Sequence, residues 1–177
     1  VLATYRPHLA ATLPLVTKEE FSVSVILPTR VSDLPALPLT GKLDRLDLDA
    51  QGLVTRVVDY KTGKAKTRND IEGKTAQADK SYRRQLEFYS LLLHLHGNER
   101  YLCDRGVLSF IEADSKGRIH EEEFDSGDSE RKAVTAEIET AAALVLSGEF
   151  LLDESLLGAS DYVTLGESLL RRLREVN

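Results

Sequence analysis

The sequence predicts an α/β chain, a mixed β-sheet flanked by helices, and three observations carry that expectation. Apolar and polar residues alternate over two early stretches, "FSVSVIL" and "LTGKLDRLDLD", and a β-branched run, "LVTRVVDYK", follows them. Two long segments with helical periodicity, "DKSYRRQLEFYSLLLHLHG" and "SGDSERKAVTAEIETAAALVLSGEF", come later and are separated by further strand-like stretches. The chain has 177 residues, enough to bury one real core and short for two. Strands that cluster first, with helices packed afterwards, give a layered arrangement of both element types.

Taken in order, "PHLAATL" reads as the end of a helix and Phe21–Leu27 as a strand. "PTRVSDLPALP" holds three prolines and reads as a loop. Leu39–Asp49 alternates again, "AQG" is a turn, and Leu53–Lys61 is the next strand, so the two form an antiparallel hairpin. Residues 62–78 are polar and contain glycine, and a loop of that length in a compact domain is commonly functional or mobile. The helix after it takes Asp79 or Ser81 as cap and Gly97 as stop, with Leu86, Tyr89, Ser90 and Leu93 on one stripe. "GVLSFIEA" and "RIHEEEF" form a second hairpin about the turn "DSKG". The last long helix is expected to start at Ser126 or Asp128 and stop at Gly148, and "YVTLGESLLRRLREVN" suits a short amphipathic helix.

Composition excludes several classes. No run of about 18 apolar residues exists, so nothing reads as a membrane span. The single cysteine, Cys103, rules out a disulfide within the chain and any site built from several thiolates. Cys103 reads as a packed thiol in a strand, and this usage fits a reducing, cytoplasmic setting. A start at Val1 and the absence of methionine read as an excised domain. The net charge of −6 argues against nucleic acid as a general partner, yet its distribution is uneven. From Lys61 to Arg84, eight cations against three anions leave +5, and −11 for the remainder. Alone, such a stretch is a solvated lysine-rich loop.

The chemistry concentrates at "DYKTGK". Asp59 and Lys61 share one face of a strand that is otherwise apolar. If the hairpin register sets Asp44 across from Asp59, two carboxylates and one ammonium converge. Converging carboxylates repel unless a cation lies between them. Hard oxygen ligands suit Mg²⁺ or Mn²⁺, which activate water at neutral pH. Lys61 would orient that water and offset charge growing on a phosphate. The bland alternatives are a structural ion pair for Asp59 and Lys61, a turn role for Asp49, and a salt bridge from Asp47 to Arg45 or Arg56. Two other motifs fail. "EGKT" ends like a phosphate loop, but its first glycine would be Arg68. "DLDAQG" opens like a calcium loop, but its bidentate glutamate would be Val58.

"GKLDRLDL", "VVDYKTGK" and "RRQLEFY", in that order, resemble the PD-(D/E)xK nucleases of the RecB type, most of all the nuclease domain ending UvrD-like superfamily-1 helicases. The resemblance runs from about Phe21 to Phe150. It implies a restriction-endonuclease-like core over residues 1–150 and a C-terminal helical extension over 151–177. It implies a Mg²⁺- or Mn²⁺-dependent deoxyribonuclease, an exonuclease module in bacterial DNA repair or recombination, with DNA and a helicase as partners. Asp44 and Asp59 would hold the metal together with the main-chain carbonyl of Tyr60, and Lys61 would be the catalytic lysine. Gln85 and Tyr89, one helical turn apart, match the "QxxxY" element that positions DNA and braces the site. Arg84, Lys64 and the basic loop would then meet phosphates.

The sequence departs from that pattern twice. RecB-type relatives carry a metal-binding histidine upstream of the first strand. His8, the only histidine ahead of Asp44, is the candidate for that metal ligand by position, but it matches no recognised motif, so the usual one is expected before Val1. Many relatives also carry cysteines for an iron–sulfur cluster after the "GEF" helix, and here none follows Phe150, so no cluster is expected. The alternatives are an inactive relative that binds DNA or scaffolds a helicase, and an unrelated acidic interaction domain. Three motifs in the right order argue against the last.

Overall fold

The computed structural model describes residues 2–14, 16–76, 78 and 80–148. The expected C-terminal helix, the 151–177 extension and Asp79 as a cap lie outside the described residues. Helix α1 spans Leu2–Thr12, followed by strands β1 (Val16–Pro28), β2 (Ala36–Leu48) and β3 (Val54–Lys61). A one-turn helix α2 (Arg68–Ile71), the long helix α3 (Ser81–His96) and a 3₁₀ turn (Glu99–Tyr101) lead to β4 (Arg105–Phe110) and β5 (His120–Asp125). Helix α4 covers Asp128–Ser147.

The five strands form one sheet in the order β1-β2-β3-β4-β5. It is mixed: β2 with β3 and β4 with β5 are antiparallel, whereas β3 with β4 is parallel. A parallel neighbour cannot be reached by a hairpin, so the chain between β3 and β4 makes a long crossover that carries α3. By packing, the chain divides into two units, Val1–Leu27 with Pro38–Arg131, and Pro28–Leu37 with the chain from Lys132 on. In the second unit the backbone N–H of Arg30 donates to Glu139 at 2.7 Å. Asp44, Asp59, Lys61 and helix α3 lie in the first.

The hairpin turn forms as expected, with Asp49 Oδ1 accepting the amides of Gln51 and Leu53 at 2.9 Å each, an Asx turn. Leu43, Leu46, Val58, Leu92, Leu93, Leu108 and Phe110 are essentially inaccessible, and each such side chain contributes about 1.5–3 kcal/mol by leaving water. Two glycines set how closely α3 lies on the sheet. A Cβ at Gly106 would fall 3.1 Å from three Leu86 atoms, and one at Gly41 would fall 2.3 Å from Leu92 Cδ1. Leu92 is wholly buried and cannot swing aside freely. Gly41→Ala is therefore expected to cost about 1–3 kcal/mol by overpacking, read as a lower urea midpoint with an unchanged m-value.

Several local expectations are corrected. The 62–78 loop contains α2, where Thr67 and Asp70 form a reciprocal capping box too short to show periodicity. Helix α3 does not take Ser81 as its cap. Ser81 is its first helical residue, and Lys80 precedes it in a left-handed conformation with no side-chain cap. Gly97 ends α3 at φ 71°, as expected. Neither expected cap holds for α4: Asp128 is its first helical residue, and the buried Ser126 hydroxyl has no partner. Cys103 precedes β4 rather than lying in a strand, and burial raises its thiol pKa.

Candidate active site

The site is built where β2 faces the C-terminal end of β3, under α3. Arg45 pairs with Val58 and Leu46 with Val57, so the next step along the ladder sets Asp44 beside Asp59. Asp44 Oδ2 accepts the backbone N–H of Tyr60 at 2.8 Å, which holds that carboxylate at the strand end. Asp59 is 2 % exposed. Its Oδ1 accepts from Gln85 Nε2 at 2.8 Å and from the Tyr89 hydroxyl at 3.2 Å. Gln85 Nε2 also donates to Tyr89 Oη at 2.7 Å, and Gln85 Oε1 accepts from Lys61 Nζ at 2.5 Å. That amide orientation is the one that matches donor to acceptor on both sides, ammonium to oxygen and carboxylate to N–H.

The remaining oxygen decides what the site can hold. Asp59 Oδ2 is buried and is answered by the Lys61 ammonium, 2.6 Å away as an ion pair. A buried carboxylate raised by the charge of a second carboxylate beside it fits a hard cation between the two. The donor set is all oxygen, which suits Mg²⁺ or Mn²⁺ over zinc. Among the described residues no three His, Cys, Asp or Glu side chains gather, so such an ion would draw its other ligands from main-chain oxygen and water, as Mg²⁺ does.

Burial raises the pKa of Asp59 above its ordinary 3.8, and the Asp44 charge adds to the rise while Lys61 opposes it. The Tyr89 hydroxyl is likewise driven upward, first by burial and then by Asp59, so it stays protonated and can only donate to that carboxylate. A raised acid has a definite sign in linkage. The folded state keeps its full stability below the unfolded value and loses it as pH climbs through the folded one. In EDTA, the melting temperature of Asp59→Asn minus that of wild type should rise through that window and level off above it, checked by calorimetry. A gap constant from about pH 3 to 7 contradicts the raised pKa.

His8 is corrected as a metal ligand. Its Nε2 lies 3.3 Å from Glu121 Oε1, and Glu121 pairs with Ser109, which pairs with Tyr60. Tyr60 alternates with Asp59 and Lys61, so His8 stands on the opposite face of the sheet from them. There Tyr5 Oη meets Ser109 Oγ at 3.0 Å, and Ser109 Oγ donates to Glu121 at 2.9 Å. Asp47 bonds both expected partners, Arg45 at 2.7 Å and Arg56 at 2.5 Å. Arg84 and Lys64 lie exposed, Arg84 in the first turn of α3 and Lys64 in the loop after β3. Within the basic segment, Arg68 pairs with Glu122 at 3.0 Å, Lys74 with Glu72 at 2.6 Å and Arg83 with Glu87 at 2.9 Å. Those three charges are answered inside the protein.

Sequence reasoning missed Tyr82, whose ring receives Lys61 Nζ at 4.4 Å from its centroid. The signal was present: Tyr82, Gln85 and Tyr89 recur at i, i+3 and i+7 and share one helix face. It missed as well the bond from Arg45 to the Tyr60 hydroxyl at 2.6 Å, which ties the two site strands together from behind.

A mixed five-strand sheet flanked by helices is the restriction-endonuclease-like arrangement. The family model of the PD-(D/E)XK nuclease superfamily matches residues 2–156, and the chain belongs to that superfamily. Its members are generally nucleases that act on nucleic acid with divalent metals such as Mg²⁺ or Mn²⁺. Among solved structures the chain is similar to one titled "Crystal structure of SSO0001", with a TM-score of 0.45 and 15 % identity, covering 78 % of this chain and 55 % of that one. The chain thus spans little more than half the length of that protein. No curated protein matches in sequence. No described helix is long and apolar enough to cross a membrane.

Proposed function

We propose that this chain is a Mg²⁺- or Mn²⁺-dependent deoxyribonuclease domain of the RecB type, an exonuclease module that works beside a helicase in bacterial DNA repair or recombination, in the cytoplasm. The observation that carries the reading is the convergence of the buried Asp59 carboxylate with Asp44 and the Lys61 ammonium. Asp44, Asp59 and the carbonyl of Tyr60 would hold the ion, which supplies Lewis acidity and an activated water when bound. Lys61 Nζ, held by Gln85 and Asp59, stabilises negative charge on the phosphate that is attacked. Gln85 and Tyr89 fix the orientation of the Asp59 carboxylate through its Oδ1. Arg84 and Lys64 meet the DNA backbone.

Digestion of end-labelled single- and double-stranded DNA, with Mg²⁺ or Mn²⁺ and with EDTA, tests this. Metal-dependent cleavage lost in Asp59→Ala supports it, and cleavage that survives EDTA or that substitution overturns it. The rival reading is an inactive relative that binds DNA or scaffolds a helicase. It is favoured by the bond that holds His8 to Glu121, away from the acids. DNA binding without cleavage at any metal concentration would select it.

A further inference from the structure

We propose that Tyr82 seats two lysines, Lys61 and Lys66, on one ring, and so presents a two-ammonium cradle for a backbone phosphate of the substrate. The proposal rests on the nuclease reading of Asp44, Asp59 and Lys61. Lys61 Nζ lies 4.4 Å and Lys66 Nζ 4.3 Å from the Tyr82 ring centroid, both well inside cation–π range. Two charges so close to one centroid are no more than about 9 Å apart. One is the last residue of β3 and the other belongs to the loop that follows, so the ring fixes a loop cation against a strand cation.

The ring is itself anchored. It packs at 6.3 Å, tilted 48°, on Phe110, which is wholly buried and pairs with Lys61 across the parallel ladder. Lys61 is thereby seated on three sides, by Asp59 Oδ2, Gln85 Oε1 and the Tyr82 ring. Lys66 is exposed, with its ammonium on the ring. Like charges held near one another repel, and a bridging anion relieves them. The anion that a nuclease site receives is a phosphodiester, so Lys66 contributes binding and Lys61 chemistry on the same backbone. Tyr82 touches neither phosphate nor ion in this account. It is a positioning residue, and the face of its ring, not its hydroxyl, does the positioning.

Three readouts on the full chain test this. Ring current from Tyr82 should shift the ε-CH₂ resonances of Lys61 and Lys66 upfield, assigned with single Lys→Arg variants. Tyr82→Phe should keep both shifts and Tyr82→Leu should lose both, in the absence of metal or DNA. Lys66→Gln should lower the log–log salt slope of oligonucleotide binding by about one, the mark of a lost phosphate contact. In metal-dependent cleavage, Tyr82→Leu should reduce kcat/KM roughly three- to thirty-fold and Tyr82→Phe should restore it. Unshifted resonances in wild type, a Phe variant as defective as Leu, or an unchanged salt slope in Lys66→Gln each overturn the cradle. A wild-type chain that binds DNA with the expected slope but never cleaves it overturns the nuclease reading and leaves the cradle standing.

Discussion

Lys61→Ala is expected to lower metal-dependent DNA hydrolysis about 10²–10³-fold while lowering DNA affinity far less. The reason is where its ammonium sits. Nζ lies 2.6 Å from Asp59 Oδ2 and 2.5 Å from Gln85 Oε1, with a side chain only 14 % exposed, so the charge is preorganised and poorly screened by water. A charge so held acts on negative charge that grows during reaction and adds little to ground-state binding. The fold should largely survive, because Gln85 and Tyr89 keep their bonds to Asp59 Oδ1. Single-turnover cleavage beside fluorescence anisotropy separates the two effects. Lys61→Ala that cleaves at the wild-type rate removes the lysine from the chemistry. A loss explained wholly by weaker binding reassigns it to substrate capture.

The parts of this site that could be read from the sequence are those whose geometry is local. Asp59 and Lys61 are two apart on a β-branched strand, so a common face follows from the pleat alone. Asp44 follows from the hairpin, because the Asp49–Gly52 turn is short and a short turn fixes register. Gln85 and Tyr89 follow from helical spacing. What stayed hidden depends on distant chain. The parallel pairing of β3 with β4 is set across a crossover that runs from Lys61 to Arg105, and no local pattern encodes which strand a crossover returns to. His8 could not be placed because a histidine on a helix carries no record of which sheet face that helix covers. Helix α2 escaped because one turn has no period. Tyr82 was legible by spacing but not by chemistry, since only the fold brings the Lys66 loop back to it.

The face of the sheet opposite Asp59 carries the largest expected effect on stability. Arg45 and Asp47 each have side chains only 1 % exposed, joined at 2.7 and 3.2 Å. Arg56 Nε reaches the other side of Asp47 at 2.5 Å, and Arg45 donates to the Tyr60 hydroxyl at 2.6 Å. Burial works against the Arg45 charge, and Asp47 overcomes it and raises the guanidinium pKa. Asp47→Leu would leave that guanidinium buried with a phenol for company, at a cost of about 3–5 kcal/mol. The double variant Arg45→Met with Asp47→Leu removes both charges and should recover most of the loss, since a buried pair returns little more than the dehydration it imposes. Urea unfolding of the two single variants and the double one gives the coupling directly. A double variant that is no better than Asp47→Leu would mean that Arg45 is held by Tyr60 and the surrounding packing alone. Recovery of stability without recovery of cleavage would say more. Asp44 adjoins Arg45 and Asp59 adjoins Tyr60, so the Arg45–Tyr60 bond braces the two strands just behind the acids. Loss of that brace leaves a stable fold whose carboxylates no longer meet an ion in the same register, and Mn²⁺ should then protect the double variant from thermal unfolding less than it protects wild type.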